Sequence, residues 1–387
     1  MRKIYIILLL VIAFLILLLL VHQKTKPQIY NIEGDIEVIK TPPLEERILS
    51  QMTIEEKIGQ LFIFGFNGTT LTPEIQNMIE NKYIGGVIIM GKNIENKEQI
   101  KKLNNDLQNI SKFHIFIAID QEGGSVLRIK EDNDTNISQR KIQSKEQAYE
   151  ISTKRSKLLK DLGINMNMAP VAEYITNKES FMYDRAFSGD KQDVAEKVYS
   201  ALKGYNDSKM ISVLKHFPGH DNSSQDSHYN FPDVNITQQE WNEYIYTFKY
   251  SIDKQMVDAL MIGHIKFPNI DDKPSVLSKI IINDKLRKEM NYDGVVMTDD
   301  MQMNPIIKYG NYCSTAKESL LTGNDILLYT TYYQRANLQI DIYNCILSAI
   351  LSGEIEEEII NQKVLRILRL KIKYGLIDET TLQSQAQ

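Results

Sequence analysis

The stretch Gly294-Val295-Val296-Met297-Thr298-Asp299-Asp300 is an apolar run that ends on two adjacent carboxylates. Its unbroken hydrophobicity fits a strand covered on both faces better than one with a wet side. The same pattern recurs along the chain. Short Ile- and Val-rich runs lie at Gln60–Phe66, Gly86–Met90, His114–Ile119, Asn165–Val171, Ser212–His216, Ala259–His264 and Asp325–Tyr329, and segments of helical period separate most of them. With Gly294–Thr298 there are eight such runs. Eight strand–helix units predict an α/β fold of the (β/α)8 barrel type rather than an open doubly wound sheet. A last amphipathic segment, Glu356 to Tyr374, carries Ile359, Ile360, Val364, Ile367, Leu368 and Leu370 at helical spacing and closes the domain.

Polar and ionisable groups gather where these runs end. The third leads into Asp120-Gln121-Glu122-Gly123-Gly124, the fourth into Glu173, the fifth into Lys215-His216, the sixth into His264 and the seventh into Asp299-Asp300. The C-terminal mouth of a barrel carries its active site, although an open sheet would also place polar groups at its strand ends. The pattern therefore speaks for an enzyme more firmly than for a barrel.

Composition narrows the classes. The 387 residues carry 45 Lys plus Arg against 50 Asp plus Glu, a formal net charge of −5, and nucleic-acid binding calls for a basic face instead. Two cysteines, Cys313 and Cys345, exclude a disulfide scaffold and a Cys-rich zinc site, while leaving one bridge conceivable. The six histidines form no HExxH-like ligand pair, and no metal or organic cofactor is expected. At the N-terminus, Met1-Arg2-Lys3 precedes an apolar run from Ile4 to Val21, long enough to cross a bilayer as a helix. The basic flank predicts a single-pass anchor (residues 1–23) with the rest of the chain outside the cytoplasmic membrane. A cleaved secretory signal is the alternative; no Ala-x-Ala-like site follows Val21. Residues 24–41 read as a linker, 42–376 as the catalytic domain and 377–387 as a polar tail.

The chemistry concentrates in Lys215-His216-Phe217-Pro218-Gly219-His220, followed by Asp226-Ser227-His228. A strand delivers a cation and an imidazole, Pro and Gly break the regular structure, and a polar loop leads to a carboxylate two residues before a second His. An Asp beside a His can hold the ring in one tautomer for proton transfer. Alone, such a pair is as easily a solvated turn; after the hexapeptide it is a candidate acid–base unit.

These segments resemble glycoside hydrolase family 3, specifically its single-domain β-N-acetylglucosaminidases. The resemblance also covers Ile119-Asp120-Gln121-Glu122-Gly123-Gly124, Asn167-Met168-Ala169-Pro170-Val171, Arg185-Ala186-Phe187-Ser188-Gly189-Asp190 and Met261-Ile262-Gly263-His264. It implies a retaining exo-glycosidase in which Asp299 is the nucleophile, with helix capping left as the other use of a carboxylate there. His228 would be the acid/base in place of a second carboxylate, oriented by Asp226. Asp120, Arg128, Arg185, Lys215 and His216 would grip the terminal sugar, although Asp120 and Arg185 could instead form internal salt bridges. His264 either touches substrate or sits as a hydrogen-bonded ring beneath the site. Glu173, Asp221 and Ser125 stand where family members commonly have Asp, Gly and Arg. The chain ends soon after the barrel, without the second domain that supplies an acid–base Glu in two-domain β-glucosidases, which fits the use of His228. The implied substrate is a peptidoglycan-derived GlcNAc oligosaccharide. A β-glucosidase, a glycoside phosphorylase and a non-catalytic membrane-tethered carbohydrate-binding barrel are the rival readings.

Overall fold

The computed structural model describes residues 41–131, 134–220, 226–330 and 337–381. The apolar run Ile4–Val21, nearly all of the linker and the end of the tail lie outside the described residues. Among the described residues, no helix is long and apolar enough to cross a membrane.

Eight parallel strands close into a barrel, as the run count predicts. They are β1 (Phe62–Gly65), β2 (Gly86–Ile89), β3 (Phe116–Ile119), β4 (Met166–Asn167), β5 (Ile211–Phe217), β6 (Ala259–Ile262), β9 (Val295–Asp300) and β10 (Ile326–Tyr329), in the order β1-β10-β9-β6-β5-β4-β3-β2. The seam pairs Phe62 with Leu327 and Phe64 with Tyr329. Between β6 and β9 a two-stranded antiparallel insertion, β7 (Lys266–Phe267) and β8 (Asp271–Pro274), leaves the barrel.

Residues of β1, β2, β3 and β10 are buried at every position. Helices cover one face and the neighbouring barrel side chains cover the other, which is why these strands do not alternate. Phe62 stacks on Phe64 at 5.0 Å between ring centroids, and Tyr329 tilts against Phe64 at 5.8 Å. The helices begin where capping side chains stop the preceding loop. Asn96 accepts from the Gln99 amide, Ser144 from Gln147, and Asp190 from Asp193. Asp190 ends the Arg185–Asp190 motif, so that segment also sets the start of the helix Lys191–Asp207. The helix Glu357–Lys373 closes the base with Ile360, Val364, Ile367, Leu368 and Leu370 buried.

Three boundaries differ from the sequence reading. The run Asn165–Val171 is a strand only over Met166–Asn167, because Pro170 has no N–H to give the ladder. Pairing resumes past it, with Lys215 donating to the Pro170 carbonyl and Ala172 to that of Lys215. The seventh run extends to Asp300, so Asp299 and Asp300 belong to the strand itself. The helix expected to start near Met301 starts at Asn304 behind Met303, which removes helix capping as the role of Asp299. Cys313 and Cys345 form a disulfide, Cα–Cα 5.9 Å, between the helices Tyr312–Leu321 and Leu338–Leu351.

Candidate active site

At the C-terminal ends of the strands lies a cavity of about 370 Å³, within the size range of small-molecule sites. Asp120, Arg128, Arg185, Lys215, His216, His228 and Asp299 all line it. Met90, Val126, Met261, Met303 and Leu328 supply apolar wall.

The loop after β3 is built to present Asp120 and Arg128. Gly123 has φ +95°, and a Cβ there would meet the Ile137 carbonyl at 2.1 Å, so only glycine fits the turn. The buried Gln121 side chain accepts from the amides of Arg128 (2.9 Å) and Ile129 (3.0 Å), clamping the returning chain. Arg128 thus comes within 3.2 Å of one Asp120 oxygen, and Lys215 Nζ donates to the other at 2.9 Å.

Beneath them Glu122 is buried and serves two cations. Arg185 makes a two-pronged contact with it (Nε 2.9 Å, Nη2 2.7 Å), and Lys215 reaches it at 2.6 Å. Burial alone would raise the Glu122 pKa, but Arg185 and Lys215 outweigh it and hold the carboxyl well below the usual range. Burial likewise opposes the charge on Lys215, and Asp120 and Glu122 overcome it, raising the ammonium pKa. The salt-bridge and substrate-binding readings of Asp120 and Arg185 therefore coexist: the groups are paired to one another and still line the cavity. The partner of Arg185 is Glu122, not Asp120.

Lys215 and His216 both line the cavity, and the peptide bond between them is cis. Glu173 Oε1 holds His216 through its backbone amide (3.1 Å) and Nδ1 (2.9 Å), and the same oxygen takes His220 Nδ1 at 3.0 Å. Burial lowers the His216 pKa against the pull of Glu173, and the ring's Nε2 lies 3.3 Å from Arg185 Nη2. Among the described residues, Glu173, His216 and His220 are the only group spaced to take a metal ion. Their ligand atoms are already joined by hydrogen bonds beside the Arg185 cation, which opposes a dication there.

Asp299 accepts the Asp300 amide at 2.8 Å. Burial pushes its pKa up, but His216, His264, that amide and Lys215 together bring it down to about 2. Its neighbour goes the other way: burial raises Asp300 to about 6, although Thr330 and the Gln302 amide hydrogen-bond its carboxylate. His264 is fully buried and donates through Nε2 to the Asp300 carbonyl at 2.9 Å. It lies beneath the site, of the two places the sequence allowed. Across the cavity, His228 Nδ1 lies 2.6 Å from Asp226 Oδ1, which also accepts the His228 amide at 2.9 Å. These contacts draw the Asp226 pKa below its ordinary value against the pull of burial.

The sequence reading gave Glu122 no role, although it stands two residues beyond Asp120, and took Glu173 as a polar strand end and a departure from the family pattern. The alternation of buried and exposed positions along Asp226-Ser227-His228 also went unread.

The description "Glycosyl hydrolase family 3 N terminal domain" matches residues 53–370. The chain is 30% identical over 334 residues to a beta-hexosaminidase A of Pseudoalteromonas piscicida, spanning 79% of this chain and just 56% of that protein. It is 30% identical over 271 residues to a beta-hexosaminidase of Methylobacillus flagellatus, 67% of this chain and 77% of that one. Among solved structures it is similar to a glycoside hydrolase family 3 beta-N-acetylglucosaminidase from Paenibacillus sp. str. FPU-7, with a TM-score of 0.78, 30% identity, and coverage of 86% of this chain and 68% of that one. In sequence and fold, the chain belongs to glycosyl hydrolase family 3, in its β-hexosaminidase branch.

Proposed function

We propose that the chain is a retaining exo-β-N-acetylglucosaminidase that releases terminal β-linked GlcNAc. The observation that carries this reading is one cavity lined by a strand-borne, ionised Asp299 and by a His228 whose Nδ1 is engaged by Asp226. Asp299 uses one oxygen to accept the Asp300 amide and keeps the other for the anomeric carbon. In the first step a C–O bond forms between Asp299 and C1 as the glycosidic C–O bond breaks. His228, protonated at Nε2, gives that proton to the departing oxygen. In the second step Nε2 takes a proton from water, the water oxygen attacks C1, and Asp299 leaves as carboxylate. Asp226 keeps the ring oriented and stabilises its cationic form. Two carboxylates normally share this work; here a histidine replaces one of them.

The charged cluster of Asp120, Arg128, Lys215 and Arg185 suits the hydroxyls of a terminal ring. Peptidoglycan fragments are the proposed source of substrate, and the proposed location is outside the cytoplasmic membrane, by an anchor at residues 1–23 or by secretion. The Cys313–Cys345 disulfide supports that location, since such bonds persist in oxidising compartments.

Turnover of 4-nitrophenyl N-acetyl-β-glucosaminide, compared with the β-glucoside, tests the sugar assignment. Preference for the acetamido sugar is expected; preference for the glucoside would replace it with the β-glucosidase reading. Running both with added phosphate and looking for sugar 1-phosphate separates hydrolysis from phosphorolysis.

A further inference from the structure

Ser227 is the buried member of an otherwise open triplet. Its own exposure is 2%, whereas the His228 side chain beside it is 59% exposed and Asp226 is half-buried. A buried hydroxyl needs a partner, and Ser227 Oγ has one in His220 Nε2 at 3.0 Å. Glu173 Oε1 takes the other side of that ring, at Nδ1.

The donors in this chain can be assigned. Burial opposes the Glu173 charge, but His216 and His220 hold its carboxyl well below the usual range, so it is an acceptor. A carboxylate at Nδ1 places the proton there on the His216 and His220 rings. With Nδ1 of His220 given to the carboxylate, Nε2 is left to face Ser227 Oγ. Glu173 thus joins two things at a single oxygen: His216, on the sugar-binding strand, and, through His220, the triplet that carries His228. Gly219, at φ +116°, makes the reversal that brings His220 back under the triplet. The Phe181 ring packs edge-on against both His220 (5.1 Å) and His228 (6.5 Å).

We propose that Ser227 and His220 are positioning residues, forming a latch that sets His228 in register with the sugar held by β5. The need for one follows from exposure. Beyond Asp226, which lies on the same triplet, His228 is tied to the barrel mouth by Phe181 and by Asn304, whose Nδ2 reaches its carbonyl at 3.3 Å. A proton donor must be placed to within about half an ångström to work, and the buried residue next to it supplies a fixed point. The latch rests on the proposed acid/base role of His228, but not on which sugar is bound.

The test is Ser227→Ala in the full chain, read on whichever 4-nitrophenyl β-glycoside the wild type hydrolyses and on the matching unactivated methyl glycoside. Leaving-group protonation matters only for the second. We expect kcat/KM on the methyl glycoside to fall about 10- to 100-fold, short of the 10²–10⁴-fold that general acid–base catalysis supplies. On the nitrophenyl glycoside kcat/KM should change less than about threefold, because departure of that group needs little proton transfer. Its kcat should fall, since release of the glycosyl-enzyme needs a base, and added azide, which attacks without one, should restore it. Ser227→Thr keeps the hydroxyl and should match wild type. Equal losses on both substrates, no loss on either, or failure of Ser227→Thr to restore the wild-type pattern would each overturn the latch.

Discussion

The two ends of the barrel use similar ionic chemistry for different purposes. At the base, the fully buried Asp325 accepts from Arg287 (2.6 Å), Arg366 (3.2 Å) and the Val296 amide (2.9 Å). Lys371 is also fully buried, giving its ammonium to Gln60 Oε1 at 2.7 Å against the face of Phe116. At the mouth, Glu122 is enclosed as completely by Arg185 and Lys215. Around it, however, capacity is left over: among the described residues Glu173 Oε2 and His264 Nδ1 are buried without a partner, and Asp299 lines the cavity. Adjacent carboxylates there are driven apart, Asp299 to about 2 and Asp300 to about 6, the kind of separation that marks working groups. What distinguishes the reactive end from the structural one is thus a pair of adjacent carboxylates, Asp299 and Asp300, facing a cavity, since the base too holds a buried unpartnered acceptor in Asn324 Oδ1.

Substitutions at the two ends should separate accordingly. The largest effect belongs to Asp299→Asn, expected to lower kcat/KM by about 10⁴-fold or more, as loss of a nucleophile does, while the melting temperature stays within a few degrees. A large loss of stability there would break the comparison. Next comes Asp325→Asn, which strips a buried counter-ion from two arginines and should cost about 3–5 kcal/mol. Denaturant titration would show it, with kcat per folded molecule unchanged; a selective loss of kcat would give the base a part in catalysis. The smallest is Lys371→Met. Burial brings the Lys371 pKa down to about 7, against about 10.4 for the unfolded chain. Between those values the unfolded chain holds the extra proton, so wild-type stability rises with pH across the window. The full penalty is felt below pH 7. The variant should therefore melt higher than wild type by a few degrees at pH 6, and the gain should shrink by pH 9. A gain independent of pH would show that packing alone sets it.

What the sequence disclosed and what it hid follow one division. Period and strand ends are local, so the eight runs, the closing helix and the groups at Asp120, Lys215, His216 and Asp299 could be read from spacing. Pairing is not local. Arg185 meets Glu122 across 63 positions, and no spacing rule links them. Glu173 looked like a substitution of one acid for another until three donors were seen to converge on one oxygen. Ser227 was hidden by its own neighbours, because Asp226 and His228 account for the motif without it. The fourth strand was over-read, since hydrophobicity runs unbroken past Pro170 whereas the ladder is interrupted and resumes only with Lys215 and Ala172. The cysteine pair was conceivable from composition, and only the packing of two helices side by side brings the residues together.

The seam between β1 and β10 has a further consequence. Because the first strand pairs with the last, the helix Leu44–Leu49 and the helix Glu357–Lys373 meet at the base, where Glu45 receives Arg369 at 3.1 Å and Arg47 pairs with Glu379. Both ends of the domain are therefore neighbours on the side opposite the cavity. Such an arrangement accommodates circular permutation, with the old ends joined by a short linker. It also means that a partner fused at either end would leave the sugar's route into the barrel clear.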